Sequence, residues 1–285
     1  MRGVPRFVPG EAYASSFGVQ WNRWDLAQHD SFNGTEIFRG RFMRYSGLDP
    51  ESLSGKRLLD AGCGPGSFVD VTSPHAGEVF AVDMSRAVEA CYRTHGHKDN
   101  VHVIQADICN LPFAKGFFDY VYCIGVVQHT PEPERTVLSL VEQVAEGGEI
   151  CLWIYRKRPH PKYLLRVLTA GMERRRAERF ITWYVPLALR ARRLLSRTPV
   201  VGRSARKVIP VADIEDYPGG VAAVLPPGLL KEWVYMDTYD MLITRYDKPQ
   251  TAGTVAGWLR SAGMEAISVR DAEELAITAK RPPCL

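Results

Sequence analysis

Leu58-Leu59-Asp60-Ala61-Gly62-Cys63-Gly64-Pro65-Gly66-Ser67 is the stretch that decides the fold of this 285-residue chain. Two leucines lead into an acid, and three glycines then alternate with other residues. The apolar start reads as a buried strand, Arg57–Asp60, ending where glycine lets the backbone turn sharply. Glycine there also lets a ligand approach the main chain with no Cβ in the way. The spacing is Gly-x-Gly-x-Gly, not the Gly-x-Gly-x-x-Gly of a dinucleotide fingerprint. A carboxylate directly before the glycines does nothing for a pyrophosphate. It suits a cationic ligand, because Asp60 can accept from an amino group or sit near a positive centre. The plainer reading is a tight strand–helix turn.

Working outward, apolar segments alternate with helical patterns. Glu78–Asp83, Val101–Gln105, Phe118–Ile124 and Glu149–Tyr155 read as further strands. This β-α-β-α rhythm predicts a parallel sheet covered on both faces. Asp83 ends the second strand, where a carboxylate takes ribose hydroxyls in a Rossmann-like fold; as a bland alternative it caps a helix over 85–92. Asp107 follows the third strand, placed to accept from an adenine amino group or to cap a turn. Before the fifth strand Thr130 is expected to cap a helix, with Pro131 in its first turn. Late in the chain, Thr251–Ala262 has helical spacing and Gly263 stops it. Ala266–Val269 and Glu274–Ala279 are strand candidates.

The order implies four parts. Residues 1–54, rich in aromatics, form an N-terminal cap, and 55–157 the ligand-binding core. Residues 158–232 form a basic, mostly helical insert, and 233–285 complete the core sheet. The insert region is distinctive in charge. From Arg156 to Lys207, sixteen basic residues face two acids, Glu173 and Glu178. That segment is +14 and leaves −10 on the rest of a chain whose net charge is +4. Tyr163–Met172 and Glu173–Leu195 read as amphipathic helices, with Pro186 kinking or splitting the second. Their apolar residues (Leu164, Val167, Leu168; Phe180, Trp183, Tyr184, Leu187) call for burial. The expectation is a cap on the carboxyl edge of the sheet. Its arginines then form a solvated face, meet an acceptor carrying phosphate or carboxylate, or meet a membrane surface or partner chain.

Hydrophobic residues at 46% and charged residues at 24% are ordinary globular usage. No apolar run is long enough for a transmembrane helix. The start, Met1–Pro5, has no apolar signal region, so a cytoplasmic location is expected. Six scattered cysteines form no Cys-x-x-Cys pair, which argues against a zinc knuckle or disulfide scaffold. No metal-ligand spacing is seen, so no metal is expected.

Three runs together resemble the class I S-adenosylmethionine-dependent methyltransferases, in their small-molecule (type 11/25-like) group. They are LLDAGCGPGS (58–67), VDMS (82–85) and the continuous stretch from Ala106 to Tyr155. The resemblance is strong over about 55–155. It implies a Rossmann-like seven-stranded mixed sheet with an antiparallel last pair, and S-adenosylmethionine as cofactor, leaving S-adenosylhomocysteine. It also implies that Gly62 and Gly64, with Asp60 and Cys63 beside them, meet the methionine moiety. Asp83 holds the ribose and Met84 packs on the adenine. Asp107 meets the adenine amino group with Ile108 nearby, and Ile124–Gly125 line the methionine end. Weaker similarity in both flanks points to a bacterial subgroup of glycan and natural-product pathways.

Methyl transfer is an in-line displacement at a sulfonium, and a base is needed only for a protonated acceptor. His129, after the fourth strand, is the candidate base, or else scaffold. Tyr13, Trp21 and Trp24 are candidates to close over the sulfonium, since aromatics attract cations. Asp237, Tyr239 and Asp240 are candidates to bind a polar acceptor. No Asn/Asp-Pro-Pro-Tyr/Phe run follows the fourth strand, and Pro-Cys occurs only at Pro283-Cys284. Both absences argue against nucleobase methylation. The expected partner is a small-molecule acceptor, with no specific nucleic acid. The competing readings are an RNA- or protein-modifying methyltransferase using the basic insert, an inactive cofactor-binding scaffold, and a nicotinamide oxidoreductase.

Overall fold

The computed structural model describes residues 3–10, 12–197, 208–213 and 225–283. Lys207 and Cys284 lie outside them. The chain divides into two compact units. The first comprises residues up to Lys157 together with Tyr246 onward, and the second is Arg158–Arg245.

The first unit is built on seven strands: β1 Arg57–Ala61, β2 Glu78–Asp83, β3 Val101–Gln105, β4 Phe118–Ile124, β5 Val144–Trp153, β6 Glu265–Asp271 and β7 Ala276–Lys280. Their order is β3-β2-β1-β4-β5-β7-β6. Neighbours from β3 through β5 pair in parallel, and β7 runs antiparallel to β5 and to β6. This is the Rossmann-like mixed sheet expected from the sequence. Near-continuous apolar runs such as Val121 and Cys123 of β4 or Ile150 and Leu152 of β5 are fully buried, as a sheet covered on both faces requires.

Seven α-helices of this unit lie among the described residues. They are α1 Ser15–Arg23, α2 Asp30–Asn33, α3 Ile37–Ser46, α4 Ser67–Thr72, α5 Ala87–His95 and α6 Pro133–Gln143, then a helix Ala252–Ser261 taken up below, with a 3-10 turn before α1 at Ala12–Ala14 counted separately. Helix α6 starts two residues later than the sequence suggested. Thr130 donates its hydroxyl to Val127 O at 2.8 Å instead of capping, and Pro133 takes the first turn. The strand pattern also extends to the N-terminus. Phe7 N donates to Gln105 O at 2.8 Å and Gln105 N donates to Pro5 O at 2.9 Å, adding a short edge to β3.

The second unit holds α7 Lys162–Thr169, α8 Arg174–Ser196 and α9 Pro227–Ile243. The last described helix, back in the first unit, is α10 Ala252–Ser261, capped by Thr251. Pro186 sits inside α8 without ending it. Two expectations are corrected here. Residues 233–245 do not complete the sheet: they belong to α9, which packs with α7 and α8, and the sheet resumes after Tyr246. Trp233, Val234, Leu242 and Ile243 are buried in that helix, so their apolar run reflects helix packing, not strand. The second correction concerns α7. Leu164, Val167 and Leu168 are 81%, 82% and 77% exposed, while Arg166 and Thr169 are buried. The reason is the C-terminus of α9, whose last carbonyls need donors. Arg166 donates to Met241 O at 3.0 Å and to Thr244 O at 2.6 Å, and Thr169 Oγ1 donates to Leu242 O at 2.8 Å. The polar stripe of α7 therefore turns inward, and Leu164, Val167 and Leu168 turn outward.

Among the described residues no helix is long and apolar enough to cross a membrane.

Candidate active site

Strand order reverses between β1 and β4, and their carboxyl ends open a crevice where open α/β sheets bind ligands. Asp60 stands at the end of β1, and Gly62, Gly64 and Gly66 carry φ of +85°, +54° and +96°. Other L-residues rarely adopt that region, so the alternation of glycine follows from the turn itself. The end of β4 crowds in as well: a Cβ on Gly62 would stand 2.4 Å from Val126 Cγ2. Gly125, also at positive φ, donates its N–H to Trp153 O at 2.9 Å, and Ile124 pairs with Trp153.

The amides of the glycine loop are already engaged. Gly62 N and Cys63 N both donate to Val82 O, at 2.7 and 2.9 Å, and Gly66 N to Cys63 O at 2.9 Å. Gly64 N donates to Asp83 Oδ2 at 3.0 Å. A phosphate cradle needs free N–H groups, and these four are committed to protein acceptors. Asp60 is 2% exposed, and its Oδ2 is buried without a hydrogen-bond partner. Burial pushes this carboxyl well above the usual carboxylate range, a bond from Tyr122 pulls it back in part, and the Asp83 charge adds to the rise. A buried orphan acceptor beside a cradle without Cβ atoms fits an ammonium donor. The side chain of Cys63 is buried, and burial together with neighbouring Cys91 pushes its thiol up, so it serves as packing.

Asp83 binds the glycine loop and the next helix at once. Its Oδ1 accepts from Ser85 N and Ser85 Oγ, both at 2.7 Å. Burial raises its carboxyl, and the bonds from Ser85 and Gly64 lower it. Three of about four acceptor positions are thus filled, and one on Oδ2 stays open. Met84 is half-buried, and its carbonyl accepts from Gln105 Nε2 at 2.9 Å. Asp107 closes a turn, accepting from Cys109 N at 2.9 Å and from Asn110 Nδ2 at 3.1 Å. Ile108 is buried in the main apolar cluster.

The N-terminal segment roofs this crevice. Tyr13, Phe17 and Trp21 recur every four residues, so the 3-10 turn and α1 present them on one face. Trp21 Nε1 lies 3.3 Å from where a Gly64 Cβ would be. The Phe17 ring meets His129 edge-on, with centroids 5.1 Å apart, and Tyr13 meets Tyr246 at 5.5 Å. Desolvation, with the charges of Asp107, Cys109 and Asp83 adding to it, drives the Tyr13 hydroxyl far above its ordinary range. Trp24 is buried past the end of α1, with the Arg23 guanidinium 5.0 Å from its ring centre.

His129 is buried in a 3-10 turn, Val127–His129, that follows β4. Its Nδ1 is 2.9 Å from Tyr246 O. A carbonyl only accepts, so Nδ1 carries the proton and Nε2 the lone pair. Phe17 and Tyr155 pack edge-on against the ring. Phe17, Tyr155 and Tyr246 were missed by the sequence reading. Only Phe17 had a signal, its i+4 spacing between Tyr13 and Trp21. Asp237, Tyr239 and Asp240 lie in α9 of the second unit, not on a strand returning to the sheet. Tyr239 is buried in that unit's apolar cluster, where desolvation raises its hydroxyl to about 12.

A methyltransferase-domain family model matches residues 59–152, which run from β1 through β5 and contain the glycine loop, Asp83, Asp107 and His129. Residues 59–152 form a class I S-adenosylmethionine-dependent methyltransferase domain. A ubiquinone biosynthesis O-methyltransferase from Acinetobacter baumannii is 28% identical over 170 residues, covering 55% of this chain and 69% of that protein. An uncharacterized protein from Synechococcus is 34% identical over 111 residues, covering 36% of this chain but only 26% of its own length. A solved S-adenosylmethionine-dependent methyltransferase from Aquifex aeolicus superimposes with a TM-score of 0.43 at 12% identity, covering 84% of this chain and 90% of that one. The methyltransferase domain thus accounts for the sheet up to β5, while α7, α8 and α9 lie beyond the family match.

Proposed function

We propose that this chain transfers a methyl group to an O, N or C atom of a small-molecule acceptor by in-line displacement. The observation that carries the reading is the buried, unpartnered Asp60 Oδ2 beside a glycine loop whose amides are already engaged. When bound, S-adenosylmethionine supplies a methyl group activated by a sulfonium. Asp60 would hold the ammonium of its methionine end, and Gly62 and Gly64 would let that end approach the main chain. The open lone pair of Asp83 Oδ2 takes one ribose hydroxyl, and a second requires Ser85 Oγ to turn away. Met84 and Ile108 would flank the adenine, with Asp107 at its amino group. Trp21, Phe17 and Tyr13 exclude water above the loop. Calorimetric titration with S-adenosylhomocysteine tests the reading, and an absence of binding to the wild-type chain overturns it.

Asp83→Ala is expected to weaken S-adenosylhomocysteine by about 1.5–3 kcal/mol, because charge-assisted bonds to ribose are lost and Gly64 N loses its acceptor. Unchanged affinity in the same titration would remove Asp83 from the site.

We assign His129 Nε2 as the proton acceptor for an acceptor group that must be deprotonated. The ring is fixed in the required tautomer by Tyr246 O, and the fourth strand ends beside it. His129→Gln is expected to lower turnover by roughly 10²–10⁴-fold and leave cofactor affinity unchanged. A variant with turnover within threefold of wild type would reduce His129 to scaffold.

The acceptor is taken to be a polar small molecule, and the cytoplasm its setting. The ubiquinone-biosynthesis relatives support O-methylation of a small molecule as the first class to assay.

A further inference from the structure

We propose that the second unit docks on an anionic lipid bilayer through the outward faces of α7 and α8. This goes beyond the methyl-transfer reading and does not depend on it.

The argument starts from the reversal in α7. A helix that turns Arg166 and Thr169 inward leaves Leu164, Val167 and Leu168 in water. Three adjacent aliphatic side chains at about four-fifths exposure are more than a scattered surface residue. Lys162 begins the same helix, with its ammonium 5.3 Å from the Tyr163 ring centre. Helix α8 repeats the combination. Arg176, Arg179, Trp183, Leu187, Arg190, Leu194 and Arg197 follow one another at steps of three or four, which places them along one face. All seven are exposed, with Trp183 at 65%. The other faces of α8 bury Ala177, Ile181, Val185 and Ala188 in the unit's own core.

Charge identifies the partner. Between Arg158 and Arg197 the only acids are Glu173 and Glu178. Glu173 accepts from Arg175 N as the cap of α8, and Glu178 pairs with Arg174 at 3.2 Å. The face itself carries no acid. Arginines interleaved with tryptophan and leucine suit a surface that is negative outside and apolar beneath. Headgroup phosphates take the guanidinium groups, and the acyl boundary takes Trp183, Leu187, Leu194 and the α7 triad. A nucleic acid would use the arginines but gain nothing from Leu164, Val167 and Leu168.

The test is co-sedimentation of the full chain with vesicles of phosphatidylcholine alone and of phosphatidylcholine with phosphatidylglycerol. Binding is expected to the anionic vesicles, weakening with salt, and at least tenfold weaker to the neutral ones. The variant Leu164→Ser/Val167→Ser/Leu168→Ser should lose at least tenfold, and so should Arg176→Ser/Arg179→Ser/Arg190→Ser. These positions are exposed, so both variants should keep the wild-type melting temperature and S-adenosylhomocysteine affinity. Trp183→Phe should remove a blue shift of tryptophan fluorescence on vesicle addition. No sedimentation with anionic vesicles at low salt overturns the proposal. So does full binding by the aliphatic triple variant, which would mean charge alone. A wild-type dimer that this variant turns into a monomer assigns the face to a second copy instead. Failure here with cofactor binding intact leaves the methyltransferase reading standing.

Discussion

Asp60→Asn is expected to make the cofactor-free protein more stable near neutral pH and to weaken S-adenosylhomocysteine by at least tenfold. The carboxyl is buried, its Oδ2 lacks a partner, and burial raises it well above the usual carboxylate range. The folded state therefore keeps a proton that the unfolded chain gives up. Its contribution to stability is intact below the ordinary carboxylate range and is lost as pH rises through the elevated folded value. Asparagine stays neutral throughout and removes that loss. The gain should be about 1–2 kcal/mol, or roughly 2–6 °C in melting temperature, and should grow from pH 4 upward. The two readouts separate roles. Melting curves of both proteins across pH test the burial argument, and calorimetry tests the ammonium contact. A variant less stable than wild type at pH 8, or one that binds S-adenosylhomocysteine unchanged, would contradict the assignment. The trade is the usual one at a site held ready for a ligand, where stability is set aside for a charge that only the ligand completes.

The second large effect is at Gly62. Gly62→Ala is expected to lower the stability of the first unit by about 2–5 kcal/mol. Part is conformational, because alanine at φ +85° sits in the left-handed region at a cost of about 1–2 kcal/mol. Part is steric, because the new Cβ would fall 2.4 Å from Val126 Cγ2 and 2.7 Å from Cγ1. Overpacking of that kind costs about 1–3 kcal/mol. The double variant Gly62→Ala/Val126→Ala should recover the steric part and keep the conformational one, so the two substitutions should be non-additive. Additive effects on melting would show that Val126 does not limit the loop. Gly64 presents a milder case: its Cβ would meet only the Trp21 ring edge at 3.3 Å.

Local sequence carried the sheet because each strand is a short apolar run closed by a turn residue, and that signal needs no knowledge of neighbours. Arg57–Asp60, Glu78–Asp83, Val101–Gln105 and Phe118–Ile124 were all legible this way, and the observed strands match them within a residue. The candidate site residues were legible for the same reason. Glycines at positive φ and acids at strand ends mark backbone requirements that act over a few residues. Asp60, Gly62, Gly64 and Asp83 do converge at the β1/β4 switch point. What lay across the chain was not legible. Tyr246 O orients His129 from a position 117 residues away, and nothing near His129 announces it. Phe17 and Tyr155 join the same ring cluster from either side in sequence.

The insert shows where periodicity stops. The spacing of Leu164, Val167 and Leu168 determined that α7 is a helix with an apolar face. Which face turns inward was decided only by the tertiary structure. The end of α9 presents carbonyls that need donors, and Arg166 and Thr169 supply them. Satisfying buried carbonyls outweighed burying three aliphatic side chains, since an unmet buried acceptor costs the full price of its desolvation. In the same way the residues from Trp233 on were read as part of the core that completes the sheet, because an apolar run has no direction of its own. Packing against α7 and α8 made it a helix. The sequence by itself therefore determined the sheet, the glycine loop and the acids around it, all of which rest on local backbone geometry. Only the tertiary structure decided the tautomer of His129, the roof over the loop and the outward face of α7, because each depends on groups that the chain brings together from far apart.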